Sequence, residues 1–462
     1  MEQIKPQDAQ FLYTETADNF NHITLLLNFD GPAEGEKKGV DYGALIKFLQ
    51  LKLKPHPIFS QRLLRLPAEL DYPYWVYDEE FEPDAHFTVT PLTVPGDWKA
   101  LREEVCYLHS QPMDMHRPLW DITIFTGVNC NGSNKGGFTI VIRLHHVAID
   151  GVGMVKLLAS FASPISDVAE SASLEESGVA EFSWSNAAGR AVKNRLRHSI
   201  DLGRTLLNST DYVSDSARRF LRTKPSERPR VYPCRFNASV GGDKIFDVVS
   251  VDLKVLSALR GLHAGATMND VILAICAGAL RRYLEKHQEL NSHSLVAWVP
   301  VNARGSGGAS DTGNNLSAFT APIYSNIADP AARLAKIVAA TQNGKGGKSA
   351  TGLLLSVTKN LPATEQYLFA RAINATSAAS STCNLFVSNV PGPAQPISLA
   401  GHRLESLGGL PPLGEGMGLF IATPSYNGKL YFNVISTASI LPDIEFFMEC
   451  IEASFTEMKS KL

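Results

Sequence analysis

Residues 138–151 read FTIVIRLHHVAIDG, a run of β-forming apolar residues that leads directly into the pattern HHxxxDG. The apolar run predicts a buried strand, and the pattern begins where that strand would end. His145 and His146 are two of only 12 histidines in 462 residues. Because histidine exchanges a proton near neutral pH, the stretch predicts a strand that delivers a general base.

The spacing of the motif assigns different tasks to its members. Side chains alternate between the two faces of a strand, so a strand that continues through residue 146 would point His145 and His146 in opposite directions. One would then carry the proton and the other would be structural. Asp150, followed by Gly151, is placed to hold the turn by accepting backbone hydrogen bonds or by pairing with an arginine.

The length and composition of the chain describe a globular protein of more than one lobe. With 44% hydrophobic and 19% charged residues, the 462-residue chain is too long for one ordinary core. A net charge of −3 gives no indication of a nucleic-acid partner. The six cysteines show no CxxC spacing, which favours reduced thiols in a cytoplasmic protein. No leader or spanning segment is recognisable, so any membrane contact is expected to be peripheral.

Other common chemistries fit the sequence poorly. The chain has no GxSxG elbow for a serine nucleophile and no GxxxxGK[ST] phosphate loop. Zinc binding by His145 and His146 is also disfavoured, because adjacent side chains on a strand diverge. We therefore expect no metal site and no bound cofactor.

Hydrophobic periodicity predicts helices and strands in both halves of the chain. The predicted organisation is an N-terminal lobe over 1–164, a helical basic connection over 165–233 and a C-terminal lobe over 234–462. The predicted strands are 23–29, 121–128, 138–146, 245–251, 295–301, 316–324, 384–388, 417–423 and 430–436. The predicted helices are 42–53, 98–110, 152–161, 186–222, 254–263, 271–284, 330–341, 354–374 and 443–461.

The connection is rich in arginine and lysine between residues 190 and 230. A solvated helix face is one interpretation of this basic run. The alternative is contact with an anionic lipid or with the phosphates of a co-substrate.

Five motifs in order along the chain resemble one known family. HHVAIDG resembles the HHxxxDG signature of acyltransferases related to chloramphenicol acetyltransferase and to condensation domains of peptide synthesis. The other four narrow the resemblance to the bacterial wax ester synthase/diacylglycerol acyltransferase family. They are Pro118-Leu119-Trp120, the NDVILA…ALR helix from Asn269 to Arg281, Pro300-Val301-Asn302-Ala303-Arg304, and Ser388-Asn389-Val390-Pro391-Gly392-Pro393. Two positions depart from the family pattern. Where the family has PMHVG, this chain has Asn19-Phe20-Asn21-His22-Ile23, and where the family has a central basic pair, this chain has only Lys244.

The resemblance implies an α/β fold of two chloramphenicol-acetyltransferase-like lobes, each a mixed sheet with helices, enclosing a tunnel. It implies an O-acyltransferase that moves a long-chain acyl group from acyl-CoA, a co-substrate, to a fatty alcohol or diacylglycerol. His146 would take the hydroxyl proton, and the oxygen would attack the thioester carbonyl. The departing thiolate would receive the proton back. A pKa of about 6.5 for imidazole and 8.5 for a thiol suits this exchange.

The resemblance also implies roles for residues around the base. His145 and Asp150 would complete the motif with Gly151, and Asp150 could pair with Arg304 across the lobes. Asn269, beside Asp270, could donate to a developing oxyanion, fix the lobe interface or simply cap its helix. The remaining residues are expected to support the substrate site or the fold, with core packing favoured for the first three: Pro118, Leu119, Trp120, Ser388 and Asn389.

Two alternatives remain open at the level of the sequence. The same fold and base could acylate another acceptor, such as a short-chain alcohol or a polyketide hydroxyl. The chain could also be a non-catalytic lipid-surface protein that has kept the fold. Contact with a membrane or lipid-droplet surface follows from the implied substrates and not from a motif.

Overall fold

The computed structural model describes most of the chain. The described residues are 2–29, 31, 39–94, 96–129, 137–162, 184–210, 214, 231–302, 316–345, 350–376 and 382–462. Arg304 and most of the predicted connector between the strands around residues 128 and 138 lie outside this part. The predicted helix 186–222 is described over Trp184–Asn208.

The first half of the chain alternates helices with strands in the order that the periodicity predicts. Five elements of this half, at 2–3, 6–13, 61–64, 74–77 and 87–91, were not predicted. In chain order the elements are β1 Glu2–Gln3, α1 Pro6–Tyr13, β2 His22–Phe29, α2 Tyr42–Leu53, β3 Gln61–Leu64, β4 Tyr74–Tyr77, β5 Phe87–Pro91, α3 Trp98–His109, β6 Trp120–Val128, β7 Gly137–His145, α4 Gly151–Ala162 and α5 Trp184–Asn208.

The second half contains a second set of helices and strands. Its elements are β8 Lys244–Asp252, α6 Leu253–Ala258, α7 Met268–Lys286, β9 Val296–Asn302, β10 Leu316–Pro322, α8 Pro330–Lys345, α9 Ala350–Asn360, α10 Ala363–Thr376, β11 Leu385–Val390, β12 Ser398–Leu399, β13 His402–Leu410, β14 Phe420–Tyr426, β15 Lys429–Thr437 and α11 Ile444–Lys459.

Two six-stranded mixed sheets organise these elements into two lobes. The first sheet has the order β12-β13-β2-β7-β6-β5, and the second has the order β10-β9-β11-β14-β15-β8. Strand β7 is central in the first sheet and buried at every residue, as its continuous apolar run predicts. The expectation of two α/β lobes is confirmed. The division of the chain at residues 165 and 233 stays a prediction.

Two strands at one edge of the first sheet, β12 and β13, come from the second half of the chain. β13 pairs antiparallel with β2, from Leu410 beside Thr24 to Leu404 beside Phe29, with a bulge between Leu404 and Ser406. The bulge and two glycines obscure the alternation of this strand, so periodicity did not reveal it. The crossover joins the two lobes through backbone hydrogen bonds.

Two of the predicted elements that differ in extent lie near the HHxxxDG motif. The single helix predicted over 354–374 is two helices, because Pro362 lacks an amide hydrogen and disfavours helical backbone before it. The predicted strand through residue 146 ends at His145. Both differences affect the surroundings of the HHxxxDG motif.

Apolar packing and the ion pairs of Arg102 connect the lobes. A buried cluster contains Leu26, Phe125 and Val141 from the first sheet together with Phe246 and Ile435 from the second. At its edge, the Arg102 guanidinium on α3 donates to both Asp247 on β8 and Glu445 on α11, and Trp98 Nε1 donates to Asp247 Oδ1 at 2.7 Å. Most of Arg102 is buried, so this contact is shielded from water.

Candidate active site

The HHxxxDG motif forms a tight turn between β7 and α4. The His145 amide donates to the carbonyl of Leu119 at 3.0 Å, and the His146 amide donates to the carbonyl of Asn21 at 2.8 Å. The Ala148 amide then donates back to the carbonyl of His145 at 3.0 Å. His146 therefore lies in the turn, and its orientation follows from the turn instead of from strand alternation.

His145 is a structural histidine. Its ring is fully buried, its Nδ1 accepts from the Val147 amide at 3.0 Å, and its Nε2 faces Glu15 Oε1 at 2.9 Å. Because Nδ1 accepts a hydrogen bond, Nε2 carries the proton and donates it to Glu15. The Asn21 amide donates to the same Glu15 oxygen at 2.8 Å. Glu15 therefore connects the motif to the segment after α1.

His146 has a different environment. Its imidazole stacks on the Phe11 ring, with centroids 3.7 Å apart and planes 14° from parallel. Its Nδ1 is enclosed and has no hydrogen-bond partner among the described residues. Burial lowers the pKa of His146 to about 4, an effect that the Asp150 charge partly opposes and His145 reinforces. The ring is consequently neutral at physiological pH.

Two further histidines lie beneath the turn. His22 on β2 pairs in register with His145, and their ring centroids are 5.8 Å apart. His109, at the end of α3, faces Thr24 Oγ1 through Nδ1 at 2.8 Å. Burial lowers the pKa of His109 to about 3 and holds the pKa of His22 well below its usual value. The motif therefore rests on neutral imidazoles in an interior that disfavours charge.

Asp150 caps the helix that follows the motif. Its Oδ1 accepts from the Gly153 amide at 2.5 Å, and its carbonyl accepts from the Met154 amide at 2.9 Å. The predicted role of Asp150 in accepting backbone hydrogen bonds is confirmed. A Cβ at Gly151 would lie 3.6 Å from Val390 Cγ2, so the turn meets β11 of the second sheet here.

Asn269 does not cap its helix. Thr267 is the cap of α7, and it forms a capping box with Asp270. The Asn269 side chain instead accepts from Asn389 Nδ2 at 2.7 Å, which joins the start of α7 to the end of β11. Asp270 is buried, and its second oxygen accepts from Thr341 Oγ1 at 2.6 Å. Asp270 is therefore structural. Asn269 and Asn389 together form a polar surface beside β11.

The segment after β11 needs glycine at residue 392. The Gly392 amide donates to Ser425 Oγ at 3.1 Å, and a Cβ at Gly392 would overlap the carbonyl oxygen of Ser425. Ser388, within β11 at the start of the SNVPGP motif, is half-buried, and its carbonyl accepts from Thr423 Oγ1 at 3.2 Å. This part of the motif sets how closely β11 and β14 approach.

Pro118, Leu119 and Trp120 are all buried. The Trp120 ring stacks on His86 with centroids 4.4 Å apart, and its Nε1 donates to the carbonyl of Phe59 at 3.0 Å. The carbonyl of Leu119 receives the His145 amide. These residues pack in the core and support the motif from behind.

Sequence reasoning missed the residues that enclose the two motif histidines. Phe11, Glu15 and Asn21 lie in or just after α1, a helix that periodicity did not predict. The signal that was available was Asn21-His22, at the position of the family's PMHVG stretch. No group of three or more His, Cys, Asp or Glu residues with metal-binding geometry occurs in the described part of the chain.

The arrangement defines a class of protein: a two-lobed HHxxxDG acyltransferase fold. The trichothecene 15-O-acetyltransferase of Fusarium sporotrichioides has the same fold, with a TM-score of 0.60 at 11% identity over 99% of this chain and 94% of that one. The wax ester synthase/diacylglycerol acyltransferase of Marinobacter aquaeolei VT8 is more similar. Its TM-score is 0.68 at 24% identity over 99% of both chains.

Within this class the chain belongs to the wax ester synthase/diacylglycerol acyltransferase family. The catalytic domain of that family matches residues 4–272, and its C-terminal domain matches residues 312–459. A protein of Mycobacterium tuberculosis strain CDC 1551 / Oshkosh, provisionally named a diacylglycerol O-acyltransferase, is 29% identical over 457 residues, which cover 96% of this chain and 87% of the relative. The chain is therefore an acyltransferase, as the five motifs predict.

Proposed function

We propose that this protein transfers a long-chain acyl group from acyl-CoA to the hydroxyl of a fatty alcohol or diacylglycerol, with His146 as the general base. The observation that carries the proposal is the placement of His146. Its backbone is held by Asn21 and its ring by Phe11, in the turn that meets β11 of the second sheet. Membership of the family supports the class of substrates.

The proton path follows from the surroundings of the ring. Nδ1 is enclosed by protein, so Nε2 is the nitrogen that we assign to proton exchange. Nε2 takes the hydroxyl proton while the oxygen forms a bond to the thioester carbonyl carbon. The tetrahedral intermediate then breaks its C–S bond, and the imidazolium returns the proton to the thiolate of CoA. The ester and free CoA are the products, and no acyl-enzyme forms.

The lowered pKa of His146 has two effects on this step. The ring is neutral over the whole physiological range, so it is ready to accept a proton. It is also a weaker base than a free imidazole, because its interior position disfavours the imidazolium. The nearby Asp150 charge favours the imidazolium and opposes this loss. General base catalysis of this kind supplies about 10²–10⁴-fold in rate.

We assign the polar surface beside β11 to the substrate carbonyl. Asn389 donates one amide hydrogen to Asn269, which leaves a second one for a ligand. The tunnel that the family resemblance implies would pass between this surface and His146. Acyl-CoA is a co-substrate in this proposal, and no cofactor takes part in the step.

The proposal includes action at a lipid surface, because the ester product and the acceptors of this reaction are poorly soluble in water. In the described ranges, no helix combines the length and apolar character that crossing a membrane requires. Access to the acceptor would then depend on peripheral contact.

The test is thiol release from palmitoyl-CoA with and without hexadecanol or a diacylglycerol. The wild type should release thiol only when an acceptor is present, and His146→Ala should lower the rate by about 10²–10⁴-fold. His287→Ala, which removes a half-buried histidine paired with Asp443 in the second lobe, is the matched control. Equal rates in wild type and His146→Ala would overturn the assignment of the base.

The acceptor is tested separately. If turnover occurs only with a short-chain alcohol or a polyketide hydroxyl, the assignment of the base stands and the proposed acceptor is wrong. Binding of acyl-CoA without turnover of any acceptor would favour the non-catalytic alternative.

A further inference from the structure

Helix α5 has one face that is fixed to the protein. Ala187 and Ala191 pack against Leu66 and Tyr74, and Asn194 Nδ2 donates to Asp71 Oδ2 and to Gln3 Oε1, both at 2.9 Å. The spacing of these contacts is three and four residues, so they follow a single face of the helix.

The opposite face of α5 is apolar and exposed. Val192, Leu196, Ile200 and Leu207 are 74%, 64%, 47% and 71% exposed, respectively. At about 100° per residue these four side chains form one stripe, roughly opposite Ala187 and Asn194. A row of large aliphatic side chains kept in water is unfavourable, and such a row is typical of a surface that contacts a partner.

Basic residues lie along one side of this apolar stripe. These residues, which form the basic flank of α5, are all exposed: Arg190, Lys193, Arg197 and Arg204. The helix carries five basic residues and one acidic residue, Asp201, in a chain whose net charge is −3. Asp201 Oδ2 lies 3.8 Å from Arg197 Nε, and Asp201 Oδ1 lies 3.3 Å from Arg204 Nη1. Since this is the single acid on α5, the helix remains strongly positive.

We propose that the outer face of α5 docks on an anionic phospholipid surface, with the helix axis in the plane of the membrane. The apolar stripe would enter the boundary between head groups and acyl chains, and the basic flank would contact the phosphates. This inference rests on the proposed function, since it places an enzyme with lipid substrates on the phase that holds them.

The charge and the area of this face favour lipid over a second copy of the chain. Four aliphatic side chains on one helix offer much less than the roughly 800 Å² per partner that a stable protein interface buries. A second copy would also bring a second set of like charges to the same place. A phospholipid surface supplies the opposite charge along the whole helix.

Helix α5 is also connected to the elements that hold the base. Arg195 forms an ion pair with Glu365 on α10, and Gln366 on α10 donates to the carbonyl of Pro6 on α1 at 2.9 Å. Phe11 on α1 then stacks on His146. Docking through α5 would therefore position the membrane two helices away from the base.

The first test is co-sedimentation with phosphatidylcholine vesicles that do or do not contain phosphatidylglycerol. Wild type should bind the anionic vesicles, and the variant Val192→Gln/Leu196→Gln/Ile200→Gln should lose about tenfold or more in partition coefficient. The matched control, Leu51→Gln/Val94→Gln/Tyr107→Gln, removes exposed apolar side chains outside α5 and should bind like wild type. Equal loss in both variants, or none in the α5 variant, would overturn the proposal.

The second test removes charge. Arg190→Gln/Lys193→Gln/Arg197→Gln/Arg204→Gln should abolish the preference for anionic vesicles, because each basic residue near the surface contributes about fivefold to binding. The control replaces four exposed lysines elsewhere with glutamine, namely Lys47, Lys54, Lys99 and Lys429. An unchanged preference in the α5 variant would count against docking through its basic flank.

A third measurement needs no variant. Amide hydrogen exchange of the wild-type protein should slow over 184–208 when anionic vesicles are added. Protection elsewhere with none in α5 would overturn the assignment of the docking surface to α5. If the stripe instead holds a second copy, wild type would be a dimer without lipid and the apolar variant a monomer, which would contradict the proposal.

Failure of this inference can be separated from failure of the proposed function. Turnover of a short, soluble alcohol does not require a lipid surface, so the α5 variants should retain it at the wild-type rate. If the wild-type protein has normal turnover but does not bind vesicles, only the docking proposal is overturned. Vesicle binding through α5 without turnover of any acceptor would overturn only the proposed function.

Discussion

The imidazole of His146 lies face to face with the phenyl ring of Phe11, 3.7 Å between centroids. The stack covers one side of the proposed base with an apolar surface from α1. Phe11 is thereby both a positioning residue and a cause of the low pKa of His146, because it excludes water from the ring.

Replacement of Phe11 should change the pH profile of the enzyme. A base works in its neutral form, so activity is lost as the pH falls through its pKa, which is about 4 for His146. Phe11→Ala admits water and should move the acid limb of kcat/KM upward toward the usual value of about 6.5. It should also lower kcat, because the ring loses its orientation.

The pH profile is measured with wild type, Phe11→Ala and Phe11→Tyr. The tyrosine variant keeps the stacked ring and should retain an acid limb close to that of wild type. A uniform loss of activity at every pH in Phe11→Ala, with no shift of the limb, would contradict the role in setting the pKa.

Glu15 should be needed for the shape of the turn. Glu15→Ala leaves the His145 Nε2–H and the Asn21 amide without their acceptor, which should lower the free energy of unfolding by about 1–3 kcal/mol. Because Asn21 also holds the His146 backbone, kcat should fall as well. Glu15→Gln keeps an acceptor oxygen and should lose less of both. Chemical denaturation and turnover are compared with Glu452→Ala, which removes an exposed acid. Identical effects of the alanine and glutamine variants would contradict this account.

The buried histidines should make the fold sensitive to acid. Burial holds the pKa values of His22, His109 and His146 below their usual value near 6.5, so the unfolded chain binds more protons than the folded one below that pH. The free energy of unfolding should therefore fall as the pH drops below about 6.5, with a slope of up to about 1.4 kcal/mol per pH unit for each histidine.

The slope is measured by denaturant titrations at several pH values. Replacement of one of the three, His109→Gln, should reduce the slope by one histidine's share while it lowers stability at neutral pH. The same substitution at exposed His116 is the control and should leave the slope unchanged. An unchanged slope in His109→Gln would show that the residue does not contribute.

Asn269 and its neighbour Asp270 should behave in opposite ways. Asp270→Ala removes a buried acceptor of bonds from Thr267 and Thr341, so it should cost about 2–4 kcal/mol in unfolding free energy. Asn269→Ala should leave stability nearly unchanged but lower turnover, because its partner is Asn389 at the proposed substrate surface.

A double-mutant cycle tests the contact between the two asparagines. Asn269→Ala, Asn389→Ala and the double variant should show a coupling of about 0.5–1.5 kcal/mol in the activation free energy derived from kcat/KM. Strict additivity would mean that the hydrogen bond has no part in catalysis. A large loss of stability in Asn269→Ala would instead indicate a structural residue.

The longer elements of both lobes mostly follow from the periodicity of the sequence, with α1 and β13 as the exceptions near the site. Helix α2 was predicted with its observed bounds, and β7 within one residue at each end. In such segments local propensity and burial favour the same structure, which is a buried strand for the continuous apolar run of β7 and an amphipathic helix for the spacing of α2. The helix predicted over 354–374 failed at Pro362, where a local rule overrides the apolar pattern.

The site was predicted only in part. The position of the motif histidines and the acceptance of backbone hydrogen bonds by Asp150 could be read from HHxxxDG, whereas the role of Asn269 was left open between oxyanion donor, interface residue and helix cap. Excluding the cap required the Thr267–Asp270 capping box, and placing the Asn269 side chain required its contact with Asn389, which is 120 residues away in the chain. The exposed stripe on α5 has helical spacing in the sequence, but its exposure depends on which face packs against Leu66 and Tyr74.

The sequence by itself determined the class of fold, the family and the residue proposed as the base, since these depend on short contiguous patterns and their order. The tertiary structure alone decided which histidine is held by Glu15 and which by Phe11, how β13 crosses into the first sheet, and which face of α5 remains uncovered. Those features arise from contacts between segments far apart in the chain. Burial and hydrogen bonding of such contacts depend on the whole packed molecule and leave no local pattern in the sequence.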